Sequence, residues 1–321
     1  MKELRDEYNR VIDYLRISVT DRCNSRCQYC MPSSGVTFKP HKEILSFEEI
    51  VKIANAFVEL GVKKIRLTGG EPLVRKDIVD LVRRLSKIQK LEELTMTTNG
   101  LLLKDYAKDL KSAGLSRVNI SIDTLHDEKY NSITLGSSLT SVLEGIQAAK
   151  KVGLIPIKLN VVLIKGFNDD EIKDFVELTK NEPIDVRFIE LMTIGNNRKW
   201  AKERFLSTDE IFTEVPNLVA LQKKDKSSPA DYYHIEGYKG RVGLINPITC
   251  QFCSECNRVR LTSTGQLKLC LHSNKEYNLR KYVDHEEKLK QYISTIIIKK
   301  PEEHHLDQKI YINRDMHSIG G

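Results

Sequence analysis

Three cysteines in the run Asp21-Arg22-Cys23-Asn24-Ser25-Arg26-Cys27-Gln28-Tyr29-Cys30 stand at C-x₃-C-x₂-C spacing, and no fourth cysteine follows nearby. Thiolates bind soft metals, and their number decides which centre they suit. A closed structural zinc site takes four protein ligands, and an electron-transfer four-iron cluster takes four thiolates. Three thiolates on a four-iron cluster leave one iron open, and an open iron can coordinate a substrate or cofactor. Two alternatives use the same residues: a zinc site completed by His41, or disulfides. Met1–Arg10 is charged and lacks the apolar core of a secretory signal. A reducing, cytoplasmic compartment is therefore expected, where thiols persist.

A second group follows far along the chain. Cys253-x₂-Cys256-x₁₃-Cys270 again offers three ligands, with no histidine at zinc-finger spacing. Cys250 leaves the count open, because Cys250-x₂-Cys253-x₂-Cys256 is another trio and all four together could close a site. More than two hundred residues without cysteine separate the groups, and such clustering points to metal or redox chemistry rather than to staples.

Two other patterns bear on chemistry. In Thr68-Gly69-Gly70-Glu71-Pro72 the glycines allow close backbone approach to a ligand, and the carboxylate and carbonyls could accept from an ammonium group. Taken alone, this segment is a turn. Basic residues also recur inside strand-like runs: Arg16, Arg66, Lys158 and Arg187, with Arg258 and Arg260 beside the second cysteine group. A basic side chain pointing into a barrel is costly unless it is paired or liganded. Guanidinium groups grip phosphate bidentately, so a phosphorylated ligand fits these positions, and a structural ion pair fits them equally.

The elements that must position these residues alternate. Strand-like runs are expected at Leu15–Val19, Lys64–Thr68, Leu94–Thr97, Arg117–Ile122, Ile157–Val162 and Ile184–Ile189. Helical stretches fall between them, at about 46–60, 77–86, 104–113, 140–152 and 170–179. The first opens with the capping box Ser46-Phe47-Glu48-Glu49. Six such units argue for a parallel sheet with helices outside. A doubly wound sheet fits as well. A curled partial barrel is favoured because the chemistry-bearing residues sit at the C-terminal ends of strands, where barrels carry their sites. After Gly195 the alternation stops: residues 220–243 read as irregular, and a last helix is expected near His285–Ile298. His126, His234 and the pair His304-His305 read as surface residues.

At 321 residues the chain can hold one large α/β domain with an extension, or two domains. Lys and Arg outnumber Asp and Glu by 51 to 44, a net +7 spread over a large surface, which argues only weakly for nucleic acid. No apolar run approaches the roughly 20 residues of a membrane span.

The first cysteine run resembles the signature of the radical S-adenosylmethionine (radical SAM) enzymes, and Thr68–Pro72 resembles their glycine-rich SAM-binding segment. The resemblance implies a (β/α)₆ partial barrel of the TIM type over residues 1–195, with a [4Fe-4S] cluster on Cys23, Cys27 and Cys30. In that family the SAM methionine group chelates the open iron, and an electron from the cluster cleaves SAM to a 5′-deoxyadenosyl radical. Tyr29 resembles the aromatic facing adenine, Gly70 and Ser121 resemble SAM contacts, and Met192 resembles a contact to the adenine.

The run Phe252-Cys253-Ser254-Glu255-Cys256-Asn257-Arg258-Val259-Arg260-Leu261 with Gly265 and Cys270-Leu271 is similar to one branch of that family, the GTP 3′,8-cyclases that begin molybdenum cofactor biosynthesis. The resemblance implies a second [4Fe-4S] cluster on Cys253, Cys256 and Cys270 in a C-terminal region, 196–321, with Cys250 outside it. It also implies that Arg16, Arg66, Thr97, Lys158, Arg258, Val259 and Arg260 contact GTP, and that the terminal Gly320-Gly321 thread into the active site. Arg187 matches a phosphate role less closely. An electron donor and a downstream cyclic pyranopterin monophosphate synthase would be partners of a monomer or homodimer. A radical SAM peptide-modifying enzyme predicts more auxiliary cysteines and gives no reason for the terminal glycines. A zinc-dependent nucleic-acid binder predicts colourless protein with salt-sensitive binding.

Overall fold

Alternation of side chains builds the first strand, β1 (Tyr14–Ser18): Leu15 and Ile17 are fully buried in the core, while Arg16 between them points to the opposite face. The computed structural model describes residues 3–32, 35–195, 198–223, 225–250, 252–304, 312 and 314–319. Five further strand–helix repeats follow the pattern read from the sequence. The strands are β2 (Lys64–Thr68), β3 (Glu93–Thr98), β4 (Arg117–Ser121), β5 (Ile157–Leu163) and β6 (Ile184–Glu190). The helices are α1 (Phe47–Glu59), α2 (Ile78–Leu85), α3 (Leu103–Ser112), α4 (Asp127–Thr134), α5 (Leu139–Lys151) and α6 (Ile172–Asn181).

Helix α1 shows why these segments fold as they do. Ser46 Oγ accepts from Glu49 N at 3.1 Å, and Glu49 returns the bond to Ser46 N at 2.7 Å, satisfying two end donors. Ile50, Ile53, Ala54 and Phe57 recur at helical spacing and are buried against the sheet.

The C-terminal region adds α7 (Arg198–Glu203), α8 (Glu210–Glu214), β7 (Val219–Ala220), β8 (Asp231–His234), β9 (Arg241–Ile245), β10 (Arg258–Leu261), β11 (Gln266–Lys268), β12 (Tyr277–Asn278) and α9 (Glu286–Ile297). All strands belong to one sheet in the order β12-β11-β10-β1-β2-β3-β4-β5-β6-β9-β8-β7. The stretch from β10 through β9 is parallel throughout, and the outer strands are antiparallel. Among the described residues the series runs from β12 to β7 with no pairing between those two strands.

Two expectations need correction. Residues 220–243 are not irregular throughout: Asp231–His234 form β8 and Arg241 opens β9, which extends the parallel sheet beside β6. These strands are short and set among Gly237, Gly240 and Gly243, so they hold too few apolar positions to show a period of two. Their register rests on distant partners instead. Arg241 donates to both oxygens of Asp185 on β6, at 2.9 and 2.6 Å. Helix α4 had no place in the expected pattern. Its carbonyls at Ile133 and Thr134 accept from Gln28 N and Arg26 N at 3.0 and 3.1 Å, so it braces the first cysteine loop.

Candidate active site

A cavity of about 340 Å³ opens at the C-terminal ends of the parallel strands, and both cysteine trios line it. Cys23, Cys27 and Cys30 come from the loop after β1, Cys253 and Cys256 from the segment before β10, and Cys270 from just after β11. All six thiols are free and partly exposed. Cys250 is also free, but it is exposed and takes no part in the wall.

The first trio sits in a poorly solvated loop. Burial pushes Cys23 up to about 12 and Cys27 up to about 11, and Cys30 is raised as well. Without a metal these thiols keep their protons, and a soft metal bound to them would replace those protons. The second trio differs. Burial pushes the Cys256 thiol up, but the positive charges of Lys300 and Arg258 outweigh it and hold the group at about 7.

The glycine-rich segment docks on the cysteine loop. Gly70 N donates to Thr20 O at 2.9 Å and Glu71 N to Arg22 O at 2.8 Å, which continues the pairing of β1 with β2 past their ends. A Cβ on Gly70 would lie 2.2 Å from Arg22 O, and one on Gly69 would lie 2.6 Å from Thr20 O. The close approach these glycines allow is therefore first to the neighbouring loop. Glu71 turns inward, where it accepts from Leu73 N at 3.0 Å, Thr98 Oγ1 at 2.7 Å and Asn99 N at 2.6 Å. Burial still pushes its carboxyl up to about 7.

Tyr29 lines the cavity and donates its hydroxyl to Asp123 at 2.7 Å. Burial raises that carboxyl to about 6. Ser121, at the end of β4, and Met192, just past β6, are also in the wall, and Met192 packs against the buried cluster of Ile194, Ile312 and Ile319. Gly320 and Gly321 lie outside the described residues. The tail preceding them reaches the site: Met316 and His317 line the cavity, and the His317 amide donates to the Cys30 sulfur.

The basic residues form a row across the sheet. Parallel register sets Arg260 beside Arg16 and Arg16 beside Arg66 on adjacent strands, roughly 4.8 Å apart. Like charges so placed repel. Burial and the neighbouring arginines hold Arg16 well below the usual guanidinium range, and burial lowers Arg66 and Arg260 to about 10. Arg258 and Arg187 join the wall, as does Thr97. Thr97 Oγ1 and Arg187 Nε are buried without a hydrogen-bond partner, so both have capacity left for a ligand. Two residues expected to contact the substrate do not line the cavity through their side chains. Lys158 is on the same face of β5 as the cavity-lining Asn160 and Val162, with its Nζ 3.1 Å from the Tyr232 hydroxyl and 3.6 Å from Asp185. The Val259 side chain is fully buried in the core, because it faces away from Arg258 and Arg260 on β10.

Several wall residues were not foreseen. His304 is not a surface residue: it is 7% exposed, lines the cavity and stacks with His272 at 4.6 Å between ring centroids. His305 lies outside the described residues. His126 is exposed, as expected. Glu190, at the end of β6, is completely buried and accepts from Ile248 N at 2.9 Å and Thr249 N at 3.0 Å. It thereby anchors the loop leading to Cys253. Its only sequence signal was its place at a strand end.

The donor set fits soft-metal clusters: two groups of three thiols face one cavity, the first following the C-terminal end of β1 and Cys253 and Cys256 of the second preceding the N-terminal end of the neighbouring β10. A row of guanidinium groups between them fits a polyanion.

Comparison with known proteins agrees with this reading. The family model "Radical SAM superfamily" matches residues 17–179, and "Molybdenum Cofactor Synthesis C" matches 184–306. A protein of Peptoclostridium acidaminophilum named GTP 3′,8-cyclase is 58% identical over 319 residues, covering 99% of this chain and 98% of the relative. One of the same name from Alkaliphilus oremlandii is 54% identical, covering 99% and 100%. Among solved structures, Streptococcus suis SuiB bound to S-adenosylmethionine superposes with a TM-score of 0.56 at 15% identity, over 97% of this chain and 78% of that one.

Proposed function

Because the chain belongs to the radical SAM superfamily and, within it, to the GTP 3′,8-cyclase family, we propose that it converts GTP to 3′,8-cyclo-7,8-dihydro-GTP, the first step of molybdenum cofactor biosynthesis. The observation that carries this reading is the single cavity walled by two cysteine trios and a row of arginines.

The cofactors are two [4Fe-4S] clusters and SAM. Cys23, Cys27 and Cys30 would hold the first cluster, and Cys253, Cys256 and Cys270 the second. When bound, the first cluster supplies the electron that cleaves SAM to the radical initiating the reaction. The protein's own share is placement. Tyr29, fixed by Asp123, with Gly70, Ser121 and Met192, would form the SAM half of the cavity. Arg16, Arg66, Thr97, Arg258 and Arg260 would hold the triphosphate end of GTP, with Arg187 beside them. Lys158 and the backbone at Val259 would add further contacts to GTP, and Gly320-Gly321 would complete the site. Holding the ribose at near-attack distance, about 3–3.5 Å from the reacting carbon, and excluding water are the principal tasks of such a cavity. Among the described residues no helix is long and apolar enough to cross a membrane. A cytoplasmic monomer or homodimer, reduced by an electron donor and passing its product to a cyclic pyranopterin monophosphate synthase, completes the proposal.

The test is anaerobic. Reconstituted protein with dithionite and SAM is assayed for 5′-deoxyadenosine with each nucleoside triphosphate in turn. Deoxyadenosine formed in step with loss of GTP, and not with ATP or CTP, is expected. Formation regardless of nucleotide would remove GTP as the substrate, and none from iron-loaded protein would sink the radical reading.

A further inference from the structure

The second cysteine trio is braced by two buried cations that each donate to carbonyls of the cysteine-bearing segments. Arg10, on the N-terminal arm, donates Nη1 to Cys253 O at 2.7 Å and to Glu302 O at 2.7 Å. Its Nη2 reaches Pro301 O at 2.6 Å. Lys300, only 2% exposed, donates Nζ to Leu269 O at 2.6 Å and to Arg258 O at 3.1 Å. Leu269 precedes Cys270, and Arg258 follows Cys256 by two residues. Every cysteine of the trio is thus at, or within two residues of, a carbonyl held by Arg10 or Lys300.

The two cations differ in charge balance. Arg10 Nε is paired with buried Asp6 at 2.6 Å. Lys300 has no carboxylate within ion-pair distance among the described residues, although it lies in the cavity wall beside the trio. Taking an ammonium out of water without a counter-ion is costly even after relaxation. Two carbonyls offset part of that, and an anion in the cavity would offset the rest. A four-iron core on three thiolates is such an anion, and reduction by one electron makes it more negative still.

We propose that Lys300 is the fixed counter-charge of the cluster at Cys253, Cys256 and Cys270, clamping the segments that carry Cys256 and Cys270 and favouring the reduced cluster. Lys300 is a positioning residue, since it acts through the cysteine segments and the field it sets. Net charge and hydrogen bonding around a cluster are established determinants of its potential. The inference rests on the assignment of that second cluster above.

A Cys23→Ser, Cys27→Ser, Cys30→Ser background leaves only the second trio to be read. The full-length chain in this background is reconstituted anaerobically and followed by iron content, circular dichroism and a redox titration monitored by electron paramagnetic resonance. With Lys300→Met, or Lys300→Gln as a second neutral variant, the midpoint potential should shift to more negative values. Lys300→Arg, which keeps the charge, should return it toward that of the background. Loss of iron in the neutral variants but not in Lys300→Arg, with secondary structure retained, also supports the proposal. A neutral variant with full iron and an unchanged potential overturns it, and so does an equal effect of Lys300→Met and Lys300→Arg. A background that binds no iron overturns the second-cluster assignment, and the proposal with it.

Discussion

Replacing Gly70 by alanine separates two roles that the glycine-rich turn could have. No positive φ is needed at this position, so the cost of a methyl group is steric. Its Cβ would stand 2.2 Å from Arg22 O and 2.6 Å from Arg22 C, where ordinary contact begins at 3.4 Å. The two backbones must therefore part by about 1.2 Å, and neither is the free end of a flexible side chain. That movement breaks the 2.8 Å bond from Glu71 N to Arg22 O, a loss of about 0.5–1.5 kcal/mol. Forcing atoms into a packed site adds about 1–3 kcal/mol, for a sum of about 1.5–4.5 kcal/mol. Against a typical total of about 5–15 kcal/mol this is large. The assay is urea unfolding of the metal-free chain, which removes ligand linkage from the comparison, together with iron content after reconstitution. Gly70→Ala should unfold at lower urea and lose iron preferentially from the trio next to Arg22. Unchanged stability and iron, with only SAM binding weakened, would show that the glycine serves the ligand and not the loop.

Three further outcomes are expected. Glu190→Met leaves the Ile248 and Thr249 amides without an acceptor, at about 1–3 kcal/mol each. Glu190→Gln keeps an oxygen for them and should cost far less in the same unfolding assay, and equal losses would contradict the anchoring role. Arg16→Met relieves repulsion with Arg260 and Arg66, so the metal-free chain should melt no lower than the parent. GTP affinity by calorimetry should meanwhile fall about 10–100-fold, the worth of one charge-assisted bond; lower stability with affinity retained would reverse the assignment. Glu71, whose folded-state carboxyl is raised to about 7, holds its proton longer in the folded chain than in the unfolded one. Stability should therefore fall as pH rises from about 4.5 toward 7. Glu71→Gln should lose that slope in unfolding curves taken across the range, and an identical slope in both proteins would refute it.

Local pattern alone determined a good deal. The two cysteine groups marked metal or redox chemistry because clustered thiols suit soft metals, and the resemblance of their flanking residues narrowed that to two clusters. The six strand–helix repeats were legible because each buries a face of its own, with period two in Leu15 and Ile17 and period near four in Ile50, Ala54 and Phe57. That both trios share one cavity is a matter of sheet order: β10 pairs with β1 across more than two hundred residues, and no local signal encodes that pairing. The same register makes a row of Arg16, Arg66 and Arg260, turns Val259 into the core and sets Lys158 beside Asp185. Chain packing also buries His304, Glu190 and Lys300, residue types usually exposed, because each finds hydrogen-bond partners on another segment. Periodicity reports the face a residue turns to its own element's neighbours, and only the tertiary structure decides which distant groups meet it there.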